Sequence, residues 1–585
     1  MTAPAPMARL NGIAVCGGSR IGPALLFEES PDVVALPDAP AQDARTEKER
    51  LRRAVGTARD ELERLQAQLG GEAGVGGIFR AHGLLLDSVV PGIEAAIDQG
   101  QAAERAVAGV LHAASARLAA SANRLMAQRA QDLVDVERRL LRALTGASAP
   151  AGAGPAGGDR PVVIVARDLT PSETAALEGR AVAAIALEEG GVTSHSAVIA
   201  RSLGIPCVVG VAGLLARVQH GEPLWVEGTQ GFVVVQPDEA SRREALGLAE
   251  RYDRFERSLL AESQLPCETL DGHKVTLLAN IEFPPDVDAG LARGAEGVGL
   301  YRTEFLVRPG AAPPGEEQHL AAYRGTLQRL AGGRLTVRTF DFGSDKEAPL
   351  GGPREPNPAL GVRSLRWCFA HPQAFHVQLR ALLRGAAEGD VRILLPMVAG
   401  LDDLRRARAL IAAAAAELLE QGLPCRPDVP VGIMVEIPAA AVTSDLLVRE
   451  ADFLSIGTND LIQYDLAVDR LNPRLAPLFQ PSHPSILRLL RDTLAAAARA
   501  GVPVTLCGER GGHALHTALL LGLGLREFSV SPGTLPRVRR LLRSLTVDRA
   551  RRIARECLEL STAAEVEAHL RRNVPPLEPA EGPLR

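Results

Sequence analysis

Between Gly190 and Gly210 the chain reads GGVTSHSAVIARSLGIPCVVG, and one imidazole, His195, stands among Gly, Thr and Ser just ahead of a helical pattern. No other histidine or cysteine lies nearby at metal-ligand spacing, which argues against a metal site. A nucleophile fits the surroundings. Gly190 and Gly191 allow a bulky anion or another protein to approach, and Thr193 or Ser194 can cap the helix. A phosphoryl group on the ring would then meet free N–H groups at the positive end of that helix. A structural histidine in a capping region is the competing reading.

A second set of reactive types sits where apolar strand-like segments end: Asn280, Arg302, Arg338, Glu436, Asn459 with Asp460, and Cys507 with Glu509. Arg302 and Arg338, from neighbouring strands, can fork onto the phosphate or carboxylate of one anion, and Arg470 and Lys346 on following loops add positive charge. Glu436 and Asp460 are hard oxygen ligands suited to Mg²⁺, with waters and substrate oxygens completing the shell. Cys507 at a strand end could donate a proton to an enolate; a buried cysteine is as readily a small hydrophobe. Rim salt bridges are the rival explanation for any single Arg–Glu pair.

These residues need a frame. A chain of 585 residues is too long for one core and implies three or four domains. Hydrophobic residues make up 46% and charged residues 23%, as in ordinary globular proteins, and aromatics only 3%, so Leu, Val and Ala must fill the cores. A net charge of -5 gives no reason to expect nucleic acid or an anionic membrane as partner. The seven scattered cysteines, without a C-x-x-C pair, suit thiols in a reducing cytosol. The sequence shows neither a signal peptide nor a membrane span, so a cytoplasmic protein without membrane insertion is expected.

The periodicity predicts one or two short strands at the N-terminus and then about four helices between Asp43 and Leu144, interrupted by Gly70–Gly77 and by Pro91. After a Gly/Ala/Pro-rich loop, PVVIVA and AVAAIALEEG read as strands, TPSETAALEG as a short capped helix, and PLWVEGTQGFVVVQP as a hairpin. This is a small α/β domain with a helical insertion. A charged helix follows over Asp238–Ser263. The rest alternates strand and helix. KVTLLAN, GVGLYRTEF, LTVRTFDFG, VRILLPMV, VPVGIMVEIP, FLSIGTND, VPVTLCGE and REFSVSPG supply the strands of a (β/α)8 barrel, which carries chemistry where its strands end.

The stretch GGVTSHSAVIARSLGIP resembles the phosphohistidine signature of phosphoenolpyruvate (PEP)-utilising enzymes. GVGLYRTEFL, VRTFDFGSDKE, NPALGVRSLR, GIMVEIPAAA, FLSIGTNDLIQYDLAVDR and TLCGERGG resemble their PEP-binding barrel. Together with IFRAHGLLLD and QRAQDLVDVERRLLRALTG in the helical insertion, the resemblance is to the enzyme I family of the bacterial PEP:sugar phosphotransferase system, over nearly the whole chain. It implies a multidomain α/β fold: a phosphohistidine domain over 1–30 and 148–237, a helical-bundle subdomain over 31–147, a linker helix over 238–264, and a PEP-binding, dimerising TIM barrel over 265–578.

The resemblance further implies that His195 is phosphorylated through Nε2, that Thr174 hydrogen-bonds it, and that Arg302, Arg338 and Arg470 grip PEP with Asn459 on its phosphate. Glu436 and Asp460 would hold Mg²⁺, and Cys507 would protonate the enolate of pyruvate. It implies a homodimer, an HPr-like carrier protein as acceptor in sugar uptake, and a linker helix acting as a swivel. A PEP synthase or pyruvate, phosphate dikinase-like enzyme and a regulatory phosphotransfer protein are the alternatives. Val192 stands where many members carry Arg, Ser344 where glycine is common, and CGGSR at Cys16 departs from the usual SPG turn.

Overall fold

The computed structural model describes residues 8–27, 43–68, 75–119, 124–145, 161–169, 181–191, 196–197, 200, 204–306, 313–342, 355, 357–470, 472 and 474–577. It forms two compact units, Met1–Glu256 and Arg257–Arg585.

The first unit is built on β1 (Ala8–Asn11), β2 (Ile13–Cys16), β3 (Ser19–Leu26), β4 (Val162–Ala166), β5 (Val182–Leu187), β6 (Cys207–Val209), β7 (Pro223–Glu227) and β8 (Phe232–Val235). Their order is β1-β8-β7-β3-β4-β5-β6-β2. Three N-terminal strands form where one or two are expected, because glycines divide this short stretch. β3 joins two ladders: it runs antiparallel to β7 and parallel to β4. The strands β4 to β8 are mostly apolar and almost wholly buried, which sets them in the core of the sheet.

Among the described residues between β3 and β4 the chain forms four helices, α1 (Ala44–Gln68), α2 (Val75–Asp98), α3 (Ala103–Ala119) and α4 (Arg124–Thr145). Apolar residues at helical spacing, such as Leu51, Ala54, Ala58 and Leu62 of α1, meet Val107 and Leu111 of α3 and Val136 and Leu140 of α4 in one core. Glu47 of α1 is buried; its carboxylate accepts the N–H of Ala103 at 2.9 Å and so caps α3. Pro91 lies inside α2 instead of ending it. Ile93 and Ile97, buried beyond it, continue the packed face, and that burial offsets the missing backbone donor.

The second unit is a closed barrel of β9 (Thr276–Ile281), β10 (Gly297–Arg302), β11 (Arg334–Arg338), β12 (Val391–Leu395), β13 (Val431–Val435), β14 (Leu454–Ile456), β15 (Val504–Leu506) and β16 (Glu527–Val530). All neighbours pair parallel, β16 closing onto β9. Each strand coincides with one of the eight anticipated segments, β9 running one residue past its segment to Ile281 and β11 starting one residue before its own at Arg334. Leu300, Leu394, Met434, Phe453 and Cys507 cluster in one apolar layer. Gly432 is required there: a Cβ would lie 2.5 Å from the Phe453 ring. At the strand starts, Arg334 pairs with Glu527 at 2.9 Å and Thr505 donates to the same carboxylate at 2.8 Å. Among the described residues no helix is long and apolar enough to cross a membrane.

Candidate active site

Parallel pairing brings all eight strand ends to one face of the barrel. Arg302 is the last residue of β10 and Arg338 the last of β11. Glu436 follows β13, and the helix Thr458–Asp465 after β14 carries Asn459 and Asp460 in its first turn. Cys507 follows β15.

The side chains form an alternating network. Arg338 is buried and reaches Asp341 at 3.1 Å and Glu304 with its other terminal nitrogen. Asp341 also binds Arg363 at 3.1 Å. Arg363, only 1% exposed, continues to Asp460 at 3.2 Å and donates to the Tyr464 hydroxyl at 2.9 Å. Arg470 lies 3.8 Å from Asp460. Arg302 stands apart in its pairing, with Glu282 at 2.8 Å, and is only half-buried. Rim ion pairs are solvent-screened and weak. A buried chain of this kind is costly to dehydrate and persists only when each charge has partners. The simple rim-salt-bridge explanation therefore fits Arg302 better than it fits Arg338 or Arg363.

Glu436 is buried and accepts the N–H of Met397 at 2.7 Å. Burial pushes its carboxyl up to about 8, with the negative charges of Asp460 and Asp341 acting in the same direction and Arg338 and Arg363 opposing them. A carboxyl so held would ionise readily beside a cation. Two oxygen-donor residues, Glu436 and Asp460, fit Mg²⁺, which keeps several waters and substrate oxygens in its shell. Among the described residues no group of three His, Cys, Asp or Glu gathers into a fuller cage. The Cys507 thiol is raised by burial, with its sulfur 3.5 Å from the Ile456 carbonyl oxygen. Asn280 is held by two bonds: it donates to the Cys507 carbonyl at 2.9 Å and accepts from Ser529 at 2.6 Å.

His195, Thr174 and Lys346 lie outside the described residues, as does the side chain of Glu509. Arg363, Asp341 and Glu304 belong to the charged network although strand-end position did not select them. Their signal was present in NPALGVRSLR, TFDFG and YRTEFL, but they sit on loops and turns after the strands.

Gln378 was also missed. It is fully buried on the helix Pro372–Ala386. Its amide donates to Thr303 Oγ1 at 2.9 Å and accepts the Phe340 N–H at 3.1 Å, while Thr303 donates to the Arg338 carbonyl at 2.8 Å. One side chain thus ties the ends of β10 and β11 together. Gln378→Leu strands these polar groups, so urea denaturation is expected to show a loss of about 1–3 kcal/mol. Steady-state kinetics should show KM for the anionic substrate rising more than kcat falls, since the arginines lose registration.

A parallel barrel with buried arginines and carboxylates at its mouth defines an enzyme with a site for a small, multiply charged anion. Models of the PEP-utilising enzymes match in chain order: the N-terminal region at residues 11–129, the mobile domain at 158–231 and the PEP-binding domain at 257–547. A phosphoenolpyruvate-protein phosphotransferase of Bacillus sp. (strain S) is 40% identical over 573 residues, 96% of this chain and 98% of that one. That of Geobacillus stearothermophilus is 40% identical over 571 residues with the same shares. That of Staphylococcus carnosus (strain TM300) is 38% identical over 566 residues, 95% and 98%. The chain belongs to the phosphoenolpyruvate-protein phosphotransferase family.

Proposed function

We propose that this chain takes the phosphoryl group of PEP onto His195, releases pyruvate, and passes the group to a histidine of a small HPr-like carrier protein. The observation that carries the reading is the buried run Glu304–Arg338–Asp341–Arg363–Asp460, with Glu436 beside it, at the C-terminal mouth of a barrel in this family.

Arg302, Arg338 and Arg470, with Lys346, neutralise the phosphate and carboxylate of PEP, and Asn459 contacts the phosphate. Glu436 and Asp460 would hold Mg²⁺, which when bound supplies positive charge to the phosphate and enolate oxygens. Neutral His195, oriented by Thr174, attacks phosphorus in line through Nε2; the new P–N bond forms as the P–O bond to the enol oxygen breaks. The enolate carbon takes the proton of Cys507, a thiol that burial keeps protonated, and leaves as pyruvate. The phosphohistidine domain over 1–30 and 148–237 delivers the group to a carrier docked on the helical subdomain over 31–147. The linker over 238–264 lets one histidine serve both places. The barrel over 265–578 makes the homodimer, and the protein works in the cytoplasm.

Incubation with labelled PEP and Mg²⁺, followed by peptide mapping of acid-labile phosphate, should place the label on His195 and then on an added carrier. Label on no histidine, or labelling by ATP and not by PEP, would overturn this reading.

A further inference from the structure

We propose that Cys16 and Cys207 form a site for a reversible disulfide, closed by a peroxide and opened by a dithiol. They are the sole cysteines of the unit Met1–Glu256; the other five, Cys267, Cys368, Cys425, Cys507 and Cys557, all belong to the unit Arg257–Arg585. No disulfide joins any cysteine in the structure.

β2 is an edge strand and pairs with β6 alone. Its register runs Ile13↔Val209, Ala14↔Val208 and then Cys16↔Cys207, so an extra residue, Val15, is accommodated in a bulge. Ordinary alternation along a strand would send Val15 and Cys16 to opposite faces. The bulge re-aims them: Val15 and Cys16 both pack against the apolar cluster that contains Cys207. The two cysteines are therefore directly opposed and share a face. Opposed residues of a regular antiparallel ladder have Cα atoms about 4.5–5.5 Å apart, and a disulfide accepts a wider span of roughly 4.4–6.8 Å, which leaves room for the local distortion of a bulge.

The backbone around the pair is fixed. Gly228, just after β7, lies so close that a Cβ would collide with the Cys16 carbonyl oxygen and sit 3.2 Å from the Cys207 nitrogen. Its own N–H donates to the Gly18 carbonyl at 2.8 Å. Three strands thus converge on the two cysteines, which limits how far they can separate.

Exposure sets the order of events. Cys16 is half-buried and Cys207 fully buried, so the oxidant meets Cys16 first. The Cys16 sulfur attacks hydrogen peroxide, breaks the O–O bond and becomes a sulfenic acid with release of one water. The Cys207 sulfur then attacks that sulfur, the S–O bond breaks, a second water leaves and the S–S bond closes. Two thiols are oxidised by two electrons and the peroxide is reduced to two waters. A dithiol returns both thiols by exchange.

The test treats the full chain with hydrogen peroxide in the presence of a chelator, alkylates remaining thiols under denaturing conditions, digests it and identifies the peptides by mass. The expected product is one linked pair of peptides containing Cys16 and Cys207, two hydrogens lighter than their sum, abolished by dithiothreitol, with the other five cysteines largely alkylated. In Cys16→Ser, a half-exposed position that should not disturb folding, the linked pair disappears and Cys207 is recovered alkylated. Recovery of both residues alkylated from oxidised wild type would overturn the proposal. So would sulfinic acid at Cys16 beside an alkylated Cys207, since either result means the sulfurs do not meet.

Discussion

His195→Ala is expected to acquire no acid-labile phosphate from labelled PEP, yet to bind PEP and Mg²⁺ with a Kd within about twofold of wild type, as residues that share no partners behave independently. The partition follows from where the residues lie. Arg302, Arg338, Asn459, Asp460, Arg470 and Glu436 all belong to the unit Arg257–Arg585, whereas His195 belongs to Met1–Glu256. The groups that hold Arg338 belong to the second unit: Glu304 and Asp341 pair with its guanidinium, and Gln378 ties the end of β11 to that of β10 through Thr303. On the proposed mechanism, removing the imidazole deletes the nucleophile and leaves the proposed anion clamp in place. Acid-quenched labelling and calorimetric titration measure the two halves. A variant that still forms acid-labile phosphate would move the nucleophile elsewhere. A variant that loses PEP binding would make His195 part of the clamp.

The barrel was legible because its strands are largely buried on both faces, which writes them as short, mostly apolar runs such as VGIMV, bounded by polar residues and helical sequence. The polar types at the ends of those runs, Arg338 and Glu436 among them, could be selected by position alone. The order of the first sheet could not. β3 pairs with β7 and β4, both far along the chain, and no local pattern records that choice. Pro91 misled because propensity marks it as a breaker, while the buried face of α2 continues past it. Arg363 and Asp341 were hidden for a different reason. Each lies on a connection, and the bonding of Asp341 to two arginines exists only once Arg338, Asp341 and Arg363 are brought together in the fold. The opposition of Cys16 to Cys207 is equally invisible in sequence, since one bulged residue decides which face Cys16 takes.

Above pH 8, Glu436→Gln is expected to weaken Mg²⁺ binding by about a thousandfold and to lower PEP-dependent phosphorylation by a comparable factor, because removing one charge at contact range is worth about 4 kcal/mol at the effective dielectric of a protein site; at pH 7, where wild-type binding must first expel a proton, the difference narrows to about a hundredfold. The substitution keeps an oxygen for the Met397 N–H at a fully packed position, so the fold should survive. The wild-type carboxyl makes a sharper prediction. Burial holds it at about 8, so at pH 7 without a cation it retains its proton. A cation requires the carboxylate, and binding must then expel that proton. Titration in two buffers of different ionisation enthalpy should report release of about one proton near pH 7, declining to none well above pH 8, with affinity rising about tenfold per pH unit until the carboxyl ionises by itself. Glu436→Gln should release none at any pH. The sign for stability is opposite to that of a salt-bridged carboxylate: a raised value favours the folded cation-free chain fully below the ordinary glutamate range, and that contribution is lost as pH climbs through 8. Binding at pH 7 without proton release would show the carboxyl already ionised, and Arg338 and Arg363 would then outweigh burial.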